Sequence, residues 1–223
     1  MTPQCASTDS PFSVAMNLGV TENANSLANF QPTILKGLGY TATSAQVHTI
    51  PVYLTGAVFS VIFAYMSEWL NRRFIFYMFG CAVLATGLAI EIAYPPSPGV
   101  RYTGMFFIAC GAYLSMPISI IWVSINAGSG YKRAIAIAAI INFGTAGAFV
   151  SSNVFLFKET PRFHTGFSTG LGLCCMGAAA ATIYFVGCWW TNKKRDENPI
   201  QEPTVEYNME KLGWEHPDFR FAL

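Results

Sequence analysis

The chain has 223 residues, of which 52% are hydrophobic and 11% charged, and its net charge at pH 7 is +1. Soluble domains carry about 25% charged residues, so this composition excludes an ordinary soluble globule, and the near-neutral charge offers no electrostatic footprint for a nucleic-acid partner. Apolar runs long enough to cross a bilayer recur without dyad alternation, which excludes a β-barrel and predicts an all-α, polytopic membrane helix bundle with six transmembrane helices.

The first eleven residues read as a cytoplasmic segment. Met1 to Asp9 is polar and carries one charge, Asp9, so it lacks the features of a cleavable signal, and the first span is expected to serve as its own insertion signal. Residues 12–190 form the six-helix transmembrane domain, and 191–223 a cytoplasmic tail.

Span one is predicted from Phe12 to Leu35 and is the weakest by hydropathy. Its stretch Thr21 to Gln31 reads TENANSLANFQ. At helical spacing Glu22, Asn25, Ser26 and Asn29 share one face. A charged side chain at the bilayer centre costs about 2.5–3.5 kcal/mol on insertion scales, so such a face is kept toward protein or a water-filled cavity. Gly37 and Gly39 end the helix, and Tyr40 to Gln46 makes a short loop.

Span two runs from Val47 to Tyr65 with Pro51 in its first turn, where a missing N–H costs little. Glu68 to Arg73 is a charged loop. Span three runs from Phe74 to Ala93, and Gly80 and Gly87, seven apart, permit close helix contact. Glu91, near its end, is expected to reach the interface.

A proline loop, Tyr94 to Val100, leads to span four, Tyr102 to Ile125, which Pro117 should kink. A glycine-rich loop closed by Tyr131, Lys132 and Arg133 precedes span five, Ala134 to Phe157. The Lys158 to His164 loop precedes span six, Gly166 to Trp190, which opens with the small-residue packing pair Gly166 and Gly170.

Lys and Arg placement sets the orientation. Arg72, Arg73, Lys132, Arg133, Lys193, Lys194 and Arg195 lie on one side, against Lys36, Arg101, Lys158 and Arg162 on the other. The richer side, with both termini, is expected in the cytoplasm. Five of the six cysteines sit in apolar stretches and no CxxC pair occurs, so they read as small helix residues, and neither a disulfide framework nor a metal site is expected. No cofactor is expected, and no GxSxG, HExxH or P-loop motif is present to suggest an enzyme.

Three spans carry polar stripes. Glu22, Asn25, Ser26 and Asn29 lie on span one, Ser115, Ser119, Trp122 and Asn126 on span four, and Asn142, Thr145 and Ser152, with Phe149 among them, on span five. Amides and hydroxyls both donate and accept, which suits a polar solute, and Trp122 could stack on a flat one. The bland alternative is that these groups hold helices together at about 0.6–2 kcal/mol per bond. Three stripes in one bundle point to a cavity of the kind secondary transporters build at the midplane. The candidate substrate-binding residues are therefore Glu22, Asn25, Ser26, Asn29, Ser115, Ser119, Trp122, Asn126, Asn142 and Thr145. Glu22, shielded from water, is the candidate for taking up and releasing a proton.

The chain also resembles a known family. The residues that carry the likeness are Gln31-Pro32-Thr33-Ile34, Gly37-Leu38-Gly39-Tyr40, Thr41 to Gln46 and Ile50-Pro51-Val52-Tyr53. They continue through Gly130-Tyr131-Lys132-Arg133-Ala134, Asn142-Phe143-Gly144 with Gly147, Ser152-Asn153, Pro161-Arg162-Phe163 with Gly166, and the tail His216-Pro217-Asp218-Phe219-Arg220-Phe221. They resemble the carboxy-terminal half of a fungal major facilitator superfamily transporter, in the allantoate permease-like branch of anion:cation symporters. The resemblance implies helices seven to twelve of a twelve-helix carrier, arranged as a half with a 3+3 inverted repeat. It implies a lipid bilayer, multi-pass insertion and the plasma membrane. It further implies alternating access with a small organic anion or vitamin-like solute and a proton bound between two halves.

The same resemblance makes Glu68, Arg72, Arg73, Lys132 and Arg133 cytoplasmic gating-loop residues. Trp69 stands where that branch usually has an arginine. The expected partner is a missing amino-terminal half or a second copy. The alternative from another class is a six-helix membrane protein that does not transport and has a structural or interaction role.

Overall fold

The computed structural model of the chain describes residues 11–37, 41–127, 131–154, 163–197 and 220–222. Residues 1–10, the Gly39 break, the glycines of the fourth loop at 128–130, the end of span five with Lys158 and Arg162, and most of the tail including His216 lie outside the described residues.

Seven helices are described: α1 (Pro11–Gly37), α2 (Ala42–Leu70), α3 (Arg73–Ala93), α4 (Pro98–Asn126), α5 (Tyr131–Thr145), α6 (Gly147–Val154) and α7 (His164–Glu197). Span five is thus two helices in series, interrupted at Ala146. With α5 and α6 taken together, five helices are long and apolar enough to cross a membrane by length and composition. The exception is α1. It has the length, at 27 residues, but its polar side chains dilute its hydropathy.

The packing explains that polarity. α1 runs through the bundle and packs against α2, α4, α5, α6 and α7. Its buried polar residues Asn17, Thr21, Glu22, Asn23, Ser26 and Gln31 therefore face neighbouring helices rather than lipid. The apolar core runs alongside them and includes Met16, Val20, Leu27, Tyr77, Leu84, Ile108, Ile118, Trp122 and Tyr184.

The most extensive helix pair is α3 with α4. A Cβ on Gly80 would strike the Ser115 side chain, one on Gly87 would meet Gly104 and Ile108, and one on Gly111 would strike the Leu84 backbone. The close contact that Gly80 and Gly87 permit is thus made with α4. Glycine backbones let two helices approach until van der Waals contact is continuous, which is the main attraction available between helices in lipid. Of the Gly166 and Gly170 pair, Gly170 packs on α1, where it faces Asn23 and Glu22.

Helix ends differ from the sequence expectation in several places. α2 starts at Ala42 with Thr41 as its cap, and the Thr41 hydroxyl accepts the Ser44 N–H at 3.4 Å. Pro51 therefore lies inside the helix, past its first turn. The expected charged loop shrinks to two residues. Glu68, Trp69 and Leu70 form the last turn of α2, Asn71 and Arg72 connect, and Arg73 opens α3. Lys132 and Arg133 likewise belong to the first turn of α5. Of the five expected gating-loop residues, only Arg72 lies between helices. Charged residues at a helix end complete its last turn while their heads reach water, so charge alone does not mark the boundary.

Asn71 closes α2 in the left-handed region, at φ 51°, and Tyr94 closes α3 at φ 47°. Asparagine takes that conformation readily, whereas tyrosine pays about 1–2 kcal/mol. At Tyr94 a contact offsets the cost. The Arg101 guanidinium sits over the ring, 4.2 Å from its centre.

Candidate functional site

Glu22 lies near the middle of α1 and is fully buried. Its Oε1 accepts the Ser26 hydroxyl at 2.7 Å, one helical turn on. Its Oε2 has no hydrogen-bond partner among the described residues, and no basic side chain among them is paired with it. Two glycines make room for it. A Cβ on Gly147 would come within 3.1 Å of the Glu22 Cβ, and one on Gly170 would strike the Asn23 amide beside it. Gly147 is the first residue of α6, so the backbone and Cβ of Glu22 lie against the α5–α6 interruption, while its Oε2 lies 3.6 Å from where a Cβ on Gly170 of α7 would stand.

A network of amides and hydroxyls surrounds it. Asn17 Nδ2 donates to Ser119 Oγ at 2.9 Å, and Thr21 Oγ1 donates to Asn17 Oδ1 at 2.8 Å. Asn23 Nδ2 donates to the Gly19 carbonyl at 2.9 Å and to the Gly170 carbonyl at 3.1 Å. α1 is thereby tied to α4 and α7 through side chains the polar-stripe reading did not assign. Asn17, Thr21 and Asn23 do not stand three or four residues from Glu22 and so flank it on either side of its face. Their signal in the sequence is polar side chains on more than one face of a span, which a bilayer tolerates only toward protein or a water-filled cavity.

The expected residues separate into three groups. Glu22 and Ser26 meet each other. Ser115, Ser119, Trp122 and Asn126 are all fully buried within the bundle. Ser115 lies against Gly80 of α3, and Ser119 bonds α1. Asn126 donates to the Tyr184 hydroxyl of α7 at 3.2 Å. Trp122 crosses Tyr184 edge-on, with ring centres 5.1 Å apart. Asn29, Asn142, Thr145 and Ser152 are exposed, and Asn25 is half-buried. Asn142 and Thr145 bond back to their own helix, at Ala138 and Ile141.

The three stripes therefore do not enclose one chamber among the described residues of this chain. A stripe fixes which side a residue occupies but not which neighbour covers that side. A narrow crevice with room of about 10 Å³ does lie close to the network, lined by Asn23, Ser26, Leu27, Leu88, Ile108 and Phe167 among others. That is room for about one water. Among the described residues no group of three His, Cys, Asp or Glu side chains could hold a metal ion.

Glu91 lies two residues before the end of α3. It is buried and faces Arg101, also buried, with Arg101 Nε 3.3 Å from Glu91 Oε2. The turn after α3 folds α4 back so that residues ten apart in sequence form the pair. Glu91 Oε1 and one terminal nitrogen of Arg101 have no partner among the described residues.

On the cytoplasmic side expected from charge, Arg133 Nε donates to Ser124 Oγ at 2.7 Å and so fixes the start of α5 to the end of α4. Arg73 is largely buried, whereas Glu68 and Arg72 are exposed.

Comparison with known proteins places these features beside transporters. No family model matches the chain, and no solved structure matches it. The chain is 32% identical over 206 residues to the MFS-type transporter cnsO of Penicillium expansum, covering 89% of this chain and 40% of that protein. It is 28% identical over 208 residues to the high-affinity nicotinic acid transporter of Saccharomyces cerevisiae, covering 91% of this chain and 38% of that protein. It is 26% identical over 203 residues to the major facilitator-type transporter hxnP of Emericella nidulans, covering 87% of this chain and 40% of that protein. These relatives are transporters rather than enzymes, and the chain spans about 40% of their length. The chain is thus a multi-pass membrane helix bundle with distant relatives among fungal major facilitator transporters.

Proposed function

We propose that the chain is one half of a proton-coupled secondary carrier of the major facilitator superfamily, moving a small organic anion by alternating access in the plasma membrane. The observation that carries this reading is Glu22: a carboxyl buried in the bundle, held through one oxygen by Ser26 and bare at the other. Intramembrane carboxyls are costly and commonly belong to proton relays. The glycines at 147 and 170 hold two neighbouring helices against it, so a change in its charge would bear directly on their packing.

The solute-facing residues in this reading are Asn25, Asn29, Asn142 and Thr145. Asn29, Asn142 and Thr145 are exposed on the bundle, where their remaining hydrogen-bonding capacity would meet lipid unless a second half or a water-filled path covers them. A covering half, or a second copy of this chain, is the partner that surface calls for. Ser115, Ser119, Trp122 and Asn126 have packing partners inside the half and position its helices. The Saccharomyces cerevisiae relative is named for nicotinic acid, so an aromatic or aliphatic monocarboxylate is the first solute class to test.

The test is uptake in cells that express the chain with the amino-terminal half of that relative. Uptake of nicotinate, or of another monocarboxylate from a panel, should rise in acid medium. Glu22→Gln should remove that acid stimulation while leaving membrane insertion intact. Uptake whose proton dependence survives Glu22→Gln would refute the role given to this residue.

A further inference from the structure

Residues 220–222 lie against the ends of α4 and α7, and two asparagines grip their backbone. Asn192 Nδ2 donates to the Phe221 carbonyl at 2.9 Å, and Asn192 Oδ1 accepts the Phe221 N–H at 2.9 Å. Asn126 Oδ1 accepts the Ala222 N–H at 2.8 Å. The Ala222 carbonyl accepts from Trp122 Nε1 at 2.9 Å and from Asn126 Nδ2 at 3.3 Å. Each amide thus satisfies both the donor and the acceptor of one residue, as a neighbouring β-strand would.

The side chains add to the grip. The Phe221 ring is 4% exposed and joins the apolar core. The Arg195 guanidinium lies 5.3 Å from its centre, and Arg220 pairs with Asp196 at 2.9 Å.

The position of this groove gives it a mechanical consequence. Pro117 lies inside α4, and its missing N–H leaves the carbonyl one turn earlier without a helical donor, which makes the site a natural bend. Trp122 and Asn126 both lie beyond Pro117. Whatever holds them to α7 fixes the terminal part of α4, which is also where Ser124 meets Arg133 of α5.

We propose that the Trp122–Asn126–Asn192 groove is a docking site for the chain's own 220–222 segment, and that the docked segment is a releasable clasp locking the part of α4 beyond Pro117 to α7. Recognition is mainly of backbone, with one pocket for an aromatic ring and one ion pair at the surface. An undocked segment leaves the buried Trp122 indole and part of the Asn126 amide without partners, which favours redocking. The clasp stands independently of whether Glu22 carries a proton.

The experiment is hydrogen–deuterium exchange on the full chain in lipid nanodiscs. Asn192→Leu should raise exchange at least tenfold at the amides of Phe221 and Ala222 and at residues 118–127. Exchange at 98–112, before the proline, should stay unchanged. If 221 and 222 exchange freely while 118–127 does not change, the segment is no lock and the proposal is overturned. A rise spread over all of α4 and α3 also overturns it, because that is general unfolding. Should Asn192→Leu fail to insert, Phe221→Ala combined with Asp196→Asn loosens the same contacts, with the same predicted pattern. A disulfide between Asn192→Cys and Phe221→Cys should instead slow exchange at 118–127 below that of the unmodified chain. If that crosslink forms only between copies, the occupant belongs to a second chain and the intramolecular clasp is rejected.

Discussion

Glu91 and Arg101 illustrate how much a single buried pair can control. Removing one partner of a buried ion pair strands the other charge and typically costs about 3–5 kcal/mol, whereas replacing both with apolar groups of similar volume can be close to neutral. Glu91→Leu or Arg101→Met alone should therefore destabilise the chain by about that amount. The double substitution should recover most of it. Unfolding of the four proteins in mixed micelles measures the coupling, and two single losses that simply add would contradict the pairing.

Residue-level legibility in the sequence was uneven for a physical reason. Glu22 and Ser26 stand four apart, and their hydrogen bond follows from helical geometry alone. The Glu91 pairing does not follow, because it depends on how tightly the chain turns after Ala93. The Asn17 and Asn23 contacts depend on which helices surround α1, and no spacing within α1 encodes that.

At the scale of elements, the α3–α4 seam is the most extensive contact. Gly111→Val would push a side chain into the Leu84 backbone, and overpacking of this kind costs about 1–3 kcal/mol. Gly172 on α7 has nothing within 4 Å of a built Cβ. Gly172→Ala should be neutral or stabilising by up to about 1 kcal/mol, since alanine is the better helix former. Unfolding of both variants under identical conditions checks the contrast, and equal losses would show that the seam is not set by close approach.

Gly80 and Gly87 of the seam were visible in the sequence, though Gly104 and Gly111 opposite them were not singled out, and five of the six expected spans are long and apolar enough to cross a membrane. Helix ends were less legible. α2 extends several residues past the apolar run at both ends, and α7 continues to Glu197 beyond Trp190. Hydropathy reports where lipid would be, while a helix stops where its backbone hydrogen bonds stop. The α5–α6 interruption was not visible either. Gly144 and Gly147 bracket it, but glycine in a membrane helix marks close packing as often as a break. Here it does both, with Gly144 against Asn17 and Gly147 against Glu22.

For the whole molecule, the central question is what covers the exposed polar face of α5 and α6. Asn142, Thr145 and Ser152 bond back to their own helices and contribute little to the fold of this chain. Asn142→Leu with Thr145→Val should leave the unfolding midpoint of the chain unchanged. In the assembled carrier the same pair should lower uptake at least tenfold. Uptake that stays at the unmodified level would place the solute path elsewhere.

Glu22 carries the central claim, and it can be tested on this chain without any solute or second half. Infrared difference spectroscopy of the chain in nanodiscs at neutral pH, with Glu22→Gln as the reference, isolates the carbonyl stretch of a protonated carboxyl at that residue. The account predicts a band that is present in the unmodified chain, absent in Glu22→Gln and reversibly weakened as the pH is raised. A Glu22 signal that is carboxylate at neutral pH and insensitive to pH would contradict the proposed proton site.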